Sequence, residues 1–146
     1  MKIAVLNGPN LNLLGIREPE VYGRQSLKDL ERDIRAVAKE LGASIEFAQF
    51  NGEGEMIDQV HAWRGKVGGA LVNAGAYSHT SLALRDALTG TSMPFVEVHL
   101  SNIYAREPER RHSMLSSAAV GVVCGFGAAS YELGLRAMVA HLAKNA

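Results

Sequence analysis

The sequence predicts a three-layer α/β sandwich on a largely parallel five-stranded sheet, and three observations carry that prediction. Five short apolar runs, at residues 3–6, 45–50, 70–72, 95–100 and 119–123, recur along the 146-residue chain. Most intervening segments repeat apolar residues with a helical period, and strands alternating with helices indicate parallel pairing through crossovers. Three of the runs stop abruptly on polar groups, as strands do when their carboxyl ends open onto a working site.

The elements follow in order. Met1 and Lys2 precede an apolar run too brief for a signal-peptide core or a membrane span, so residues 3–6 are read as the first strand. It ends on Asn7-Gly8-Pro9-Asn10. The connection over residues 7–23 is long and carries Gly8, Gly15 and Gly23 with Arg17 and Tyr22, the format of a lid or a disordered excursion. It has no G-x-x-x-x-G-K-[ST] phosphate loop, no G-x-G-x-x-G fingerprint and no Ser/Thr-rich turn for a flavin phosphate. Taken alone, Tyr22 reads as a surface ring and Arg17 as a solvated charge.

The first helix starts at Ser26, which caps with Asp29, shows Leu27, Leu30, Ile34, Val37 and Leu41 on one stripe, and stops at Gly42. Met56, Val60 and Trp63 form a second stripe; Leu84, Ala87 and Leu88 a third; Leu135, Met138, Val139 and Leu142 the last. These are core faces. Residues 73–81 place Asn73, Gly75, Tyr77, Ser78 and His79 after the third strand and then open a helix that Thr80 or Ser81 can cap. On that helix Arg85 and Asp86 form either a surface pair or a contact to a neighbouring subunit.

The fourth strand begins at Pro94, where no ladder hydrogen is needed. Alternation puts Glu97 and His99 on one face with Phe95, and Val96, Val98 and Leu100 on the other. An acid and an imidazole therefore share a wall. Ser101 and Asn102 follow, and then a run of alternating charge containing Arg106 and Arg110; such runs are usually solvated, yet a carboxylate held near His99 would want a fixed guanidinium. With the common strand order 2-1-3-4-5, the order reverses between strands one and three, so the three polar clusters converge on one pocket.

Composition narrows the rest. Fifteen Lys+Arg balance fifteen Asp+Glu, which gives no argument for nucleic acid or an anionic membrane. The single Cys124 cannot form an internal disulfide, reads as a small buried hydrophobe, and suits a reducing cytoplasm. No repeat, linker or low-complexity segment interrupts the chain, so residues 1–146 are expected to form one domain.

Six stretches together resemble the type II 3-dehydroquinate dehydratases: N-G-P-N-L-N-L-L-G at residues 7–15, R-E-P-E-V-Y-G at 17–23, N-G-E-G-E at 51–55, N-A-G-A-Y-S-H-T-S-L-A-L-R-D at 73–86, E-V-H-L-S-N-I-Y-A-R-E at 97–107, and R-R-H-S at 110–113. The resemblance implies a flavodoxin-like fold and a cofactor-independent, metal-free lyase. Its reaction would be the anti elimination of water from 3-dehydroquinate through an enolate to give 3-dehydroshikimate, in the shikimate pathway or in quinate catabolism. It also implies a homododecamer built as four trimers.

Carried over position by position, Tyr22 is the expected general base, Arg17 the lid residue that supports it, His99 the general acid, and Asn10 the enolate stabiliser. Asn73, His79, Leu100, Ser101 and Arg110 fall where the family binds substrate, and Asp86 where a residue reaches in from an adjacent subunit. Glu97, Arg106 and Gly75 match supporting positions. Two residues depart from the pattern: Ala74 stands where Pro is frequent, and Phe50 where a small polar residue is expected.

The chemistry is coherent with those roles. Free tyrosine titrates at about 10, so a phenolate base needs a nearby cation, which Arg17 and Arg106 supply. Negative charge building on a ketone oxygen suits a polar partner such as Asn10, and a hydroxyl leaves readily only if protonated as it departs. Two other classes share parts of the pattern. A flavin carrier or signalling receiver would have the fold without the lid chemistry, and a hydrolase would use Ser101 or Ser81 with His99 or His79, although no G-x-S-x-G elbow is present.

Overall fold

The computed structural model describes residues 1–16, 18–22 and 24–146, and at Tyr22 it describes the backbone. Five strands, β1 (Lys2–Asn7), β2 (Ser44–Gln49), β3 (Gly69–Asn73), β4 (Phe95–His99) and β5 (Gly121–Cys124), form one sheet in the order β2-β1-β3-β4-β5, every neighbouring pair parallel. This is the expected topology. The reversal of strand order lies between β1 and β3.

Helices cover both faces, because the strands are apolar on both. On one face Ile3, Val5, Leu71, Val96 and Val98 pack against Leu30, Ile34 and Ala38 of α2 (Leu27–Glu40) and against Tyr131, Leu135 and Met138 of α5 (Ala129–Lys144). On the other, Ala4, Leu6, Ala70, Val72 and Phe95 meet Met56, Val60 and Trp63 of α3 (Glu53–Trp63) and Leu84, Ala87 and Leu88 of α4 (Leu82–Gly90). Fully burying one such aliphatic side chain stabilises the fold by about 1.5–3 kcal/mol, so these stripes dominate its stability. Among the described residues, no helix is long and apolar enough to cross a membrane.

The helix signals in the sequence are realised locally. Ser26 accepts from the Asp29 amide while the Asp29 carboxylate accepts from the Ser26 amide, each at 3.1 Å, closing a capping box on α2. The helix stops before Gly42, whose φ is 72°. Of the two candidates at α4, Ser81 is the cap: its hydroxyl accepts from the Leu84 amide at 2.9 Å.

Three expectations need correction. The connection after β1 is not structureless: it contains a 3-10 turn (Leu11–Leu13) and a short helix α1 (Pro19–Tyr22), and Leu11 and Leu14 sink into the core beside α2. The fifth strand starts two residues later than the apolar run, since Ser116–Ala118 first form a 3-10 turn. Cys124 is half-buried instead of buried, because β5 is an edge strand and only Val123 of it packs into a core. Phe50 has a plain use despite its departure from the pattern: its ring packs on the α3–α4 core, and its amide donates to the Asn7 carbonyl at 3.0 Å.

Candidate active site

Because β1, β3 and β4 lie side by side, their carboxyl ends form one rim. Asn7 pairs with Asn73 and Val72 with Glu97, which brings the three polar clusters level. The rim opens into a cleft lined by Pro9, Leu11, Asn73, Gly75, Ala76, His79, His99, Leu100, Ser101, Ile103, Arg106 and Arg110. Among the described residues, the ionisable groups lining it are two imidazoles and two guanidiniums, a set complementary to an anion.

Glu97 and His99 project on the Phe95 face, as alternation requires, and neither is a rim residue: Glu97 is fully buried and His99 is 5% exposed. Nε2 of His99 donates to Oε2 of Glu97, while Oε1 accepts the hydroxyls of Ser113 at 2.9 Å and Ser116 at 2.7 Å. Burial by itself would push the Glu97 carboxyl up. The hydrogen bond and charge of His99, with the two serine hydroxyls, outweigh it and hold the group below the usual carboxylate value. A charged carboxylate only accepts, so the His99 proton at that bond sits on Nε2, and Nδ1 is left without a hydrogen bond from the described residues.

His79 stacks on His99 with ring centroids 6.2 Å apart and an interplanar angle of 20°. Its Nδ1–H donates to the His112 carbonyl at 2.8 Å. Burial pushes the His79 ring down from its ordinary value; the bond to His112 opposes this, and the charges of His99 and Arg110 add to the depression. Arg106 and Arg110 both lie near Glu107, with Nε of Arg110 2.8 Å from Oε1, an ion-pair distance without hydrogen-bond alignment.

Asn73 is 4% exposed and its amide is fixed at both ends. Oδ1 accepts from the Gly75 amide at 3.2 Å, and Nδ2 donates to the Tyr131 hydroxyl at 2.9 Å. Tyr131 in turn donates to Oδ1 of Asn7 at 2.6 Å, and Nδ2 of Asn7 donates to the Ala48 carbonyl at 3.0 Å. Burial pushes the Tyr131 phenol far above its ordinary value, which keeps it a neutral link in this chain. Gly75 turns the backbone at φ 58°, and a Cβ there would sit 3.1 Å from the Pro9 carbonyl oxygen.

The single chain thus brings together His99, Glu97, Asn73, Gly75, His79, Leu100, Ser101, Arg106 and Arg110. Leu100 points its side chain into the core, so only its backbone can face the cleft. Asn10, at φ 69°, lies between two lining residues, and its amide donates to Oδ1 of Asn51 at 3.1 Å. Asp86 is not in the cleft; it lies exposed on α4 beside His61, Arg64 and Thr91. Arg17 lies outside the described residues, as does the side chain of Tyr22.

Residues that sequence reasoning passed over hold the cleft together. Ser113 and Ser116 bond to Glu97, Tyr131 bonds to Asn73, and Asn51 ties the loops after β1 and β3 through Asn10 and through the Tyr77 hydroxyl, which donates to its carbonyl at 2.8 Å. Ser113 was the last residue of a quoted motif. A lone phenol on the apolar face of α5 was the signal for Tyr131.

A flavodoxin-like α/β sheet whose carboxyl edge carries a buried acid–imidazole pair in a cationic cleft defines a class: an acid–base enzyme acting on a small anion. Residues 1–139 match the family Dehydroquinase class II, and the chain belongs to it. It is 63% identical over 139 residues to the 3-dehydroquinate dehydratase of Gemmatimonas aurantiaca, covering 95% of this chain and 91% of the relative. It is 56% identical to that of Prochlorococcus marinus over 142 residues, covering 97% and 98%. The crystal structure of type II dehydroquinase from Propionibacterium acnes superposes with a TM-score of 0.91 at 39% identity, covering 95% of this chain and 96% of that one.

Proposed function

We propose that this chain dehydrates 3-dehydroquinate to 3-dehydroshikimate by acid–base catalysis, with residues 1–146 acting as one catalytic domain. The observation that carries the reading is the buried Glu97–His99 pair opening on a cleft whose ionisable lining groups, among the described residues, are all basic. Arg110 and Arg106, with the backbone of Leu100 and Ser101, receive the substrate carboxylate; Asn73 and His79 receive its hydroxyls, with Gly75 setting the turn between them. Tyr22, assisted by Arg17, removes the proton on the carbon beside the ketone. The electron pair moves onto the carbonyl oxygen as an enolate, which Asn10 stabilises.

The enolate then re-forms the ketone and a carbon–carbon double bond as the β-hydroxyl departs. His99 supplies the proton that turns that hydroxyl into water, and Glu97 compensates the imidazolium before release. Each turnover ends with one proton on Tyr22 and one lost from His99, so exchange with solvent resets the pair. No electron acceptor is needed, and we assign no cofactor. Asp86 completes the cleft of a neighbouring copy in a homododecamer of four trimers, and the expected compartment is the cytoplasm.

The test is an ultraviolet assay of the conjugated enone on purified protein treated with a chelator. Absorbance should rise with 3-dehydroquinate as sole addition. No rise at micromolar enzyme would overturn the assignment.

A further inference from the structure

Two hydroxyls converge on the acid–base pair from a segment to which the reaction above gives no role. Ser113 and Ser116, between β4 and β5, both donate to Oε1 of Glu97, while His99 holds Oε2. A fully buried carboxylate is expensive to charge unless donors surround it, and here three do. Should Glu97 take up a proton, it would cease to be a pure acceptor and would no longer fix which ring nitrogen of His99 is protonated.

We infer that Ser113 and Ser116 are positioning residues for the dehydration: they hold Glu97 ionised, and Glu97 holds the His99 ring in one orientation with Nε2 protonated, leaving Nδ1 to carry and release the catalytic proton. This rests on the reading of His99 as the acid. Among the described residues, the other ionisable groups facing the pair are His79, stacked on the ring from the turn after β3, and Arg106 and Arg110, which share the cleft from the segment after β4. All three disfavour the imidazolium when charged. The ionised Glu97 is the group that offsets them.

Ser116 is the clean probe. The Ser113 hydroxyl also accepts from the Leu115 and Ser116 amides at 3.0 and 3.2 Å, so removing it would disturb the turn as well. Thr and Val have nearly the same shape and differ by the hydroxyl, so Ser116→Thr and Ser116→Val separate packing from hydrogen bonding.

The experiment compares kcat–pH profiles of the parent, both variants and each variant combined with Glu97→Gln, together with nitrogen-15 NMR of the His99 ring. Ser116→Val should lower kcat about tenfold at neutral pH with little change in KM, and move the basic limb of the kcat profile about one unit to higher pH, because a carboxylate stripped of a donor holds the neighbouring imidazolium proton more tightly. Ser116→Thr should stay close to the parent. In the Glu97→Gln background the valine should add nothing further, since its effect runs through that carboxylate. The parent ring should show the Nε2–H form, and Ser116→Val should shift its Nε2 signal as that proton moves toward Glu97. Equal profiles for the threonine and valine variants, or a valine effect undiminished by Glu97→Gln, would overturn the inference. If the parent fails to dehydrate 3-dehydroquinate, the activity reading falls, and the ring signals alone still decide whether the serine hydroxyls set the His99 proton.

Discussion

The Tyr131 hydroxyl accepts a hydrogen bond from the Asn73 side-chain amide at 2.9 Å, across 58 residues of chain, and donates one to Oδ1 of Asn7 at 2.6 Å. One phenol on α5 therefore fixes the ends of β1 and β3, the two strands between which the strand order reverses.

Tyr131→Phe keeps the ring in the core but leaves two buried amides each short of a partner. We expect a loss of about 2–3 kcal/mol in urea unfolding and a fall in Tm of several degrees. KM for 3-dehydroquinate should rise, because the Asn73 amide loses its fixed orientation. Unchanged stability would mean that the phenol is dispensable to the network.

Removing either proton carrier should act on turnover. Tyr22→Phe and His99→Ala should each reduce kcat by about 10²–10⁴-fold, with far smaller changes in KM, measured by the ultraviolet assay. A phenylalanine variant running near the parent rate would reassign the base.

Acidification should destabilise the fold in two steps whose signs follow from the shifted groups. His79 titrates below its ordinary 6.5 when folded, so the unfolded chain binds a proton first and stability falls as pH drops below 6.5. The Glu97 carboxyl lies below its ordinary 4.5, so its contribution is complete above 4.5 and is lost as pH falls further toward the folded value. Urea midpoints measured between pH 7.5 and 5.5 should decline in the parent and decline less in His79→Gln, the first step being removed. Parallel curves would exclude His79 as its source.

Gly8→Ala probes the contact between two loops of the cleft. A Cβ at Gly8 would lie 2.3 Å from the Ala74 carbonyl oxygen, a backbone atom that cannot rotate aside. We expect a destabilisation of about 1–3 kcal/mol together with a clear loss of kcat/KM, since Pro9 and Asn73 beside the clash both line the cleft. Parent-like stability and rate would show that the loops can part without consequence.

Local chemistry made part of this legible before any coordinates. Period-2 and period-3.6 patterns located the strands and core stripes, the Ser26–Asp29 spacing gave a capping box, and alternation alone put Glu97 and His99 on one wall. Each depends on residues near one another in the chain, where geometry follows from backbone periodicity. The lid segment was harder: its length and glycines were visible, but Leu11 and Leu14 could be placed in the core only once α2 was packed beneath them.

What the chain determined by itself, then, was its elements, their faces and the family its motifs resemble. Tertiary structure decided which distant groups satisfy one another: Tyr131 with Asn73 and Asn7, Ser113 and Ser116 with Glu97, Asn51 with the loops on either side, and Asp86 away from the cleft of its own chain. The physical reason is that a buried polar atom must find a partner wherever packing brings one, and no sequence period encodes which strand end or helix face will be there.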